Sequence, residues 1–217
     1  MSARKVLTGF LAAAALLTAG CLKPPKYIEY VSEAGDFSAQ VPWGWSVYLD
    51  RQGDAYYDYT FVGPFEPSFN HGVPTLQVRW YGLNAVHRLP DGELEAYSSP
   101  ENYIERTLRD VYGAERVMVQ DAHAVSVAGW QATHFIVESP MPVPPSLRFG
   151  VSTDAQGKNP VVLREHAYVV VPMNTGFYVL IYPATHDGYS KYEKQFNDLV
   201  NTFRVMKDGP DGPPVRG

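Results

Sequence analysis

Two arms of the chain decide the fold: Leu163-Arg164-Glu165-His166-Ala167-Tyr168-Val169-Val170-Val171 and Gly176-Phe177-Tyr178-Val179-Leu180-Ile181-Tyr182, joined by Pro172-Met173-Asn174-Thr175. A Pro/Asn turn between runs rich in β-branched and aromatic residues predicts an antiparallel hairpin. Both arms are almost continuously apolar, which is the mark of central strands covered on two faces. A candidate for one cover follows directly. Tyr189, Tyr192, Phe196, Leu199, Val200 and Phe203 fall on one helical stripe, while Lys191, Glu193, Lys194, Asn197, Asp198 and Asn201 face away. The stripe reads as packing against the sheet, not as a cofactor box.

Further elements appear on working back toward the N-terminus. Ala122 to Val127 and Trp130 to Val137 alternate as strands around Ala128-Gly129. A helix starts at Ser99, a good N-cap, with Pro100 in its first turn, and runs through Ile104, Leu108 and Val111 to Gly113. Thr75 to Tyr81 places Leu76, Val78 and Trp80 opposite Gln77, Arg79 and Tyr81. Ala55 to Val62, Trp45 to Leu49 and Asp36 to Val41 complete the strands, the last stopped by Pro42. Antiparallel succession with few, segregated helices predicts the α+β class, a central antiparallel β-sheet flanked by helices.

The composition is that of a chain that can bury a core. Of 217 residues, 45% are hydrophobic and 19% charged, which excludes wholesale disorder. A net charge of −5 argues against a nucleic-acid partner, because that affinity rests on clustered Lys and Arg. A single cysteine forbids an internal disulfide and any multi-thiolate metal centre.

That cysteine closes a leader. Arg4 and Lys5 precede an uncharged run from Val6 to Ala19, and Leu17-Thr18-Ala19-Gly20 leads into Cys21. A basic start, an apolar stretch and small residues make a secretory signal peptide. The stretch resembles the lipobox of bacterial lipoproteins, with Thr18 standing where that family most often has Leu. The resemblance implies cleavage before Cys21, a diacylglyceryl and acyl lipid on its sulfur and N-terminus, and an envelope location. Leu22, in place of the inner-membrane Asp signal, implies the periplasmic face of the outer membrane in a host with two membranes. The rival readings are an uncleaved anchor, for which Val6 to Leu22 is at the short limit of a span, and a free thiol. The expected organisation is a signal peptide over 1–20, a lipidated tether over 21–35, a domain over 36–206 and a disordered tail over 207–217. Within the tether, Pro24-Pro25 enforces an extended start and Tyr27 to Val31 offers a short edge strand. Removing Arg4 and Lys5 leaves 16 basic against 23 acidic residues, or −7.

Phe37-Ser38-Ala39-Gln40-Val41-Pro42-Trp43-Gly44-Trp45 resembles the opening of the PsbP-like superfamily, where a strand runs into a Pro-x-Gly-Trp turn. Gly176 to Ala184, then Tyr189 and Tyr192 leading to Asn201-Thr202-Phe203, resembles its closing strand and helix. The Ser99-Pro100-Glu101-Asn102-Tyr103-Ile104 start of the middle helix fits the same plan. The resemblance implies an α/β/α sandwich and recurring assembly or binding roles, with no common catalytic theme.

Chemistry is sparse. The chain has no Gly-x-Ser-x-Gly elbow, no Walker A or Gly-x-Gly-x-x-Gly loop and no His-Glu-x-x-His. His71, His87, His123, His134, His166 and His186 show no local spacing that puts two on one face. The adjacent pairs Glu165-His166 and His186-Asp187 would point apart on a strand. No catalytic, metal or cofactor site is therefore expected. Loops are the better candidates for contact. Gly63 to Pro74 carries Phe65 and Phe69. Ser139 to Pro160 carries a proline-rich run, read as a polyproline II segment, followed by Phe149. Trp43, Pro142, Pro144 and Phe149 are the candidate partner-binding residues. The expected function is a membrane-anchored, non-catalytic binding or assembly module for an envelope protein or component. The alternatives are a small-ligand site or an envelope enzyme using Tyr57, Tyr59 or Trp80 on the aromatic sheet face, or a metal-binding module of scattered His and Asp.

Overall fold

The central sheet follows from strands whose alternate residues are buried on two sides. Its order is β3-β4-β5-β11-β10-β9-β8, formed by Ser46–Gln52, Tyr56–Val62, Thr75–Gly82, Gly176–Thr185, Val161–Pro172, Trp130–Pro142 and Val117–Val127. Every pairing in it is antiparallel. The hairpin read from sequence is β10–β11, at the centre, with Val171 opposite Tyr178 and Tyr168 opposite Ile181. This computed structural model describes residues 25–69, 72–89, 92–142 and 161–209.

One face carries Tyr57, Tyr59, Val78, Trp80, Tyr178 and Leu180. It is sealed by a small sheet, β1-β2-β12 (Tyr27–Val31, Phe37–Pro42, Arg204–Val205), and by α2 (His186–Thr202). Phe37 of β2 and Phe203 at the end of α2 stack at 5.5 Å, and Phe203 meets Tyr178 edge-on at 5.3 Å. A carboxylate lies inside this seal. Asp36 is wholly buried and accepts hydrogen bonds from the hydroxyls of Ser32, Tyr57 and Tyr178. Three donors satisfy a group whose burial would otherwise be prohibitive. Tyr57, Tyr59 and Trp80 are each no more than 2% exposed, so these three rings do not line an open site of the kind the alternative small-ligand or enzyme reading needs. The second sheet and the helix have taken the space a ligand would need.

The other face carries Tyr81, Phe135, Tyr168, Val170, Phe177 and Val179. Its cover is slighter: the segment from Leu83 to Ser99, containing the two-residue strands β6 (His87–Arg88) and β7 (Leu94–Glu95), then α1 (Pro100–Arg106). The α+β class holds, yet "flanked by helices" overstates the arrangement, because one helix has only seven residues and much of the cover is irregular chain.

The middle helix also departs from its sequence reading. Ser99 caps it as expected, its Oγ accepting from the Asn102 N–H at 3.1 Å, but Thr107–Val111 winds as a π-helix before Gly113 turns out at a φ of 65°. Thr107 and Tyr112 are both buried although five residues apart. An α-helix would aim them about 140° apart, whereas the wider turn points both at the sheet.

The proline-rich stretch from Ser139 is not a loop at its start. Pro140 and Pro142 belong to β9 and lie opposite Leu163 and Val161 of β10. β8 pairs β9 only as far as Glu138, and beyond it this edge of β9 has no strand partner among the described residues. The missing proline N–H groups belong on that edge, where a strand tolerates them. At the C-terminus, the folded domain continues past Met206 into what the sequence reads as tail. The Lys207 N–H bonds the Asp36 carbonyl, and buried Asp208 accepts from the N–H groups of Asn174 and Thr175. Among the described residues, no helix is long and apolar enough to cross a membrane. The signal peptide, Cys21, His71, Pro144 and Phe149 lie outside the described residues.

Candidate functional site

The slighter cover leaves a cleft of about 580 Å³ between the sheet and the α1 side. Its floor is set by strand alternation. Gln77, Arg79 and Tyr81 from β5 and His166 and Tyr168 from β10 point to this face because their neighbours Val78, Trp80, Ala167 and Val169 point to the sealed one. Its walls come from Glu95 and Tyr97 of the 83–99 segment and from Tyr103, Arg106 and Tyr112.

The charges in the walls are already matched. Arg79 Nε lies 2.8 Å from Asp58 Oδ2, and Arg106 Nη2 lies 2.6 Å from Glu95 Oε1. The second oxygen of Glu95 accepts from the Tyr97 hydroxyl at 2.5 Å, and the Arg106 guanidinium rests 5.1 Å from the centre of the Tyr97 ring. Burial raises the hydroxyls of Tyr81, Tyr97, Tyr103 and Tyr168 above the ordinary phenol range, so they stay protonated and neutral.

Two histidines sit in this region. The ring of His87 stacks on Tyr56 at 5.1 Å, and its Nε2 is 3.7 Å from Glu95 Oε2, beyond hydrogen-bond reach. Burial lowers its pKa. His166 Nδ1 shares a hydrogen bond of 2.5 Å with the Tyr112 hydroxyl, which in turn meets the Tyr168 hydroxyl at 2.5 Å. Burial, with Arg164 and Arg79 adding to it, brings the His166 pKa down to about 3, so the imidazole is neutral. Its Nε2 is shut off from solvent and has no hydrogen-bond partner among the described residues. A buried polar atom without a partner is costly, and in a cleft it marks a place where a ligand or an ordered water would be held.

Among the described residues, the cleft presents tyrosine ring faces and neutral hydroxyls, with the Tyr112 hydroxyl bonded to the His166 imidazole.

A second cluster lies at the other side of the sheet. Glu138 of β9 and Glu165 of β10 are direct cross-strand partners, and His186, the first residue of α2, sits over them. His186 Nδ1 is 2.5 Å from Glu138 Oε2 and 3.1 Å from Glu165 Oε2. One donor atom from each of the three lies within 4.8 Å of the others. The adjacent pairs weighed in the sequence, Glu165-His166 and His186-Asp187, do not act as pairs: His166 faces the cleft, while Glu165 and His186 join Glu138 on the sealed side. The other histidine contact is between His123 and His134, cross-strand partners with ring centres 5.2 Å apart.

The sequence-derived contact residues scatter. Trp43 is half exposed, in the turn between β2 and β3 on the sealed side of the molecule, where Gly44 takes a φ of 81°. Pro142 is exposed at the end of β9. Neither borders the cleft. The cleft residues carried a signal in the alternation of Gln77, Arg79 and Tyr81, whereas Tyr97 of the 83–99 segment gave none.

No protein-family model and no curated protein matches the chain. Solved structures with some likeness include the solution structure of cyanobacterial PsbP (CyanoP) from Synechocystis sp. PCC 6803, at 14% identity and a TM-score of 0.49, covering 87% of this chain and 97% of that one. LpqN, involved in cell envelope biogenesis of Mycobacterium tuberculosis, aligns at 14% identity and a TM-score of 0.43, covering 82% of this chain and 90% of that one. The Saccharomyces cerevisiae Ran-binding protein Mog1p aligns at 14% identity and a TM-score of 0.45, covering 82% and 95%. Likeness at this level carries no argument about what this chain does.

Proposed function

We propose that this chain is a lipid-anchored protein of the bacterial envelope whose domain binds another envelope protein without catalysis, through the tyrosine-lined cleft. The single observation that carries the reading is the cleft itself. Arg79 and Arg106 are matched by Asp58 and Glu95, so neither arginine of the walls is spare for an anionic ligand. The walls do offer tyrosine rings and hydroxyls. An uncharged, hydrogen-bonding chain such as a peptide segment fits those groups, and Tyr and Arg are the residues that anchor protein contacts most often. The PsbP-like pattern of the sequence supports a binding role, and the stretch from Arg4 to Cys21 supports an anchored one.

Photo-crosslinking in intact cells tests the binding face. A benzoylphenylalanine at Val111, exposed on the cleft rim, is expected to trap one discrete protein adduct, and the same probe at Trp43 none. The reading falls if position 111 traps nothing or if both positions trap the same set. The anchor has its own test. Labelled palmitate enters the wild-type chain and is absent from Cys21→Ser; label persisting in the variant overturns the lipidated cysteine.

A further inference from the structure

We infer that Glu138, Glu165 and His186 form a binding site for a divalent transition-metal ion, with zinc as the ion of choice. The site lies on the sealed side of the sheet, away from the cleft, so it stands or falls independently of the binding function proposed above.

The argument begins with a mismatch. Glu138 and Glu165 face each other directly across β9 and β10 on the same face of the sheet. Their side chains are only 17% and 11% exposed. Like charges directly opposite each other on neighbouring strands destabilise a sheet, and partial burial sharpens the cost. Among the described residues no Lys or Arg pairs with either carboxylate; the one group that reaches both is the His186 imidazole. One imidazole, whatever its protonation state, leaves at least one of the two carboxylates unmatched. A dication held by all three matches both.

The donor set fits such an ion. Two carboxylate oxygens and one imidazole nitrogen, converging within 4.8 Å, supply three ligands of the kinds zinc takes and leave the fourth position open. The imidazole disfavours calcium and magnesium, which prefer oxygen alone. The local fold holds the donors in place: two come from paired central strands and the third from the first residue of a 17-residue helix capped by Thr185, whose Oγ1 accepts from the Gly188 N–H at 3.1 Å. A groove of about 280 Å³, bordered by Ser68, Leu163, Thr185, His186 and Asp187, opens beside the imidazole. It leaves the His186 side of the cluster reachable from solvent.

Isothermal titration of the purified full-length chain, stripped with chelator and held in detergent, tests the assignment with zinc chloride alone. One zinc per chain is expected, with a rise in Tm that chelator reverses. His186→Gln and Glu138→Gln should each weaken zinc by at least about 10- to 100-fold, the range already seen when outer partners of a metal ligand are lost. Both variants replace a partly exposed side chain with a polar one of similar size, and an unchanged circular dichroism spectrum verifies that they fold. His123→Gln, at the other histidine contact, should bind like the wild type. The inference is overturned if the wild type takes up no zinc, if both site variants bind as the wild type does, or if the loss appears in His123→Gln instead.

Discussion

The two faces of the central sheet are built by the same strands and do opposite things. Along β4, β5 and β10, residues of one parity (Tyr57, Tyr59, Val78, Trp80, Val169) go under the small sheet and α2, while those of the other (Tyr56, Asp58, Arg79, His166, Tyr168) go under the 83–99 segment and α1. On the sealed face the most deeply buried carboxylate described, Asp36, has hydroxyl partners on both oxygens. On the cleft face ion pairs, phenols and imidazoles crowd together, and both ring nitrogens of His87 and the Nε2 of His166 are left without a hydrogen bond among the described residues. Period-two alternation lets one set of strands commit one side to stability and keep the other for recognition.

If that division is right, the largest losses belong to the sealed face. Phe203→Ala removes a fully buried ring wedged between Phe37 and Tyr178 and should cost about 3–5 kcal/mol in denaturant unfolding. A cost below about 1 kcal/mol would mean that the seal is not the stabilising layer. Asp36→Ala strands the hydroxyls of Tyr57 and Tyr178 and should cost about 3 kcal/mol by the same measurement, each unmet buried group contributing about 1–3 kcal/mol.

The cleft face should instead give itself away through pH. In the unfolded chain His87 and His166 take up protons near the ordinary value of about 6.5. In the folded protein both resist, His166 down to about 3. Between those limits the unfolded state holds more protons, so stability is fullest above the ordinary value and declines as pH falls toward 3. Each such imidazole adds up to about 1.4 kcal/mol per pH unit to that decline. Denaturant melts in chelator from pH 7 to pH 4 should therefore show a shallower fall for His87→Phe than for the wild type. Equal slopes would remove His87 from the account. The smallest effect is expected at the rim: Ser99→Ala deletes the α1 cap and should cost about 1 kcal/mol, leaving the sealed face untouched.

The sealed face was the more legible in sequence, and for a physical reason. Its hairpin, its aromatic helix stripe and the Phe37–Val41 strand all carry strong periodicity, because burial on a regular element imposes it. The cleft face rests on Tyr103 and Tyr112, which sit beside the helical stripe of Ile104, Leu108 and Val111 in the sequence, and on Tyr97, which comes from irregular chain where no period exists to read. The Glu138–Glu165–His186 cluster was missed for another reason. Pro140 and Pro142 read as strand breakers, so β9 was ended at Val137 and the register that places Glu138 opposite Glu165 never formed. His186 was then weighed only against its chain neighbour Asp187. Proline is a stop signal only where its N–H would have been needed, and the sequence does not tell a bare edge from a paired one.

That bare edge carries a hazard of its own. A long hairpin arm standing clear of its neighbour is a ready template for strands from other molecules, and stacking of such arms is how sheet proteins polymerise. Pro140 and Pro142 occupy alternate positions on that edge, and each withholds the donor that an incoming strand would have to find. Replacing both with threonine would leave the hairpin paired to its own partner while removing the guard. The two prolines thus keep crowded copies of the protein from zipping together through this edge.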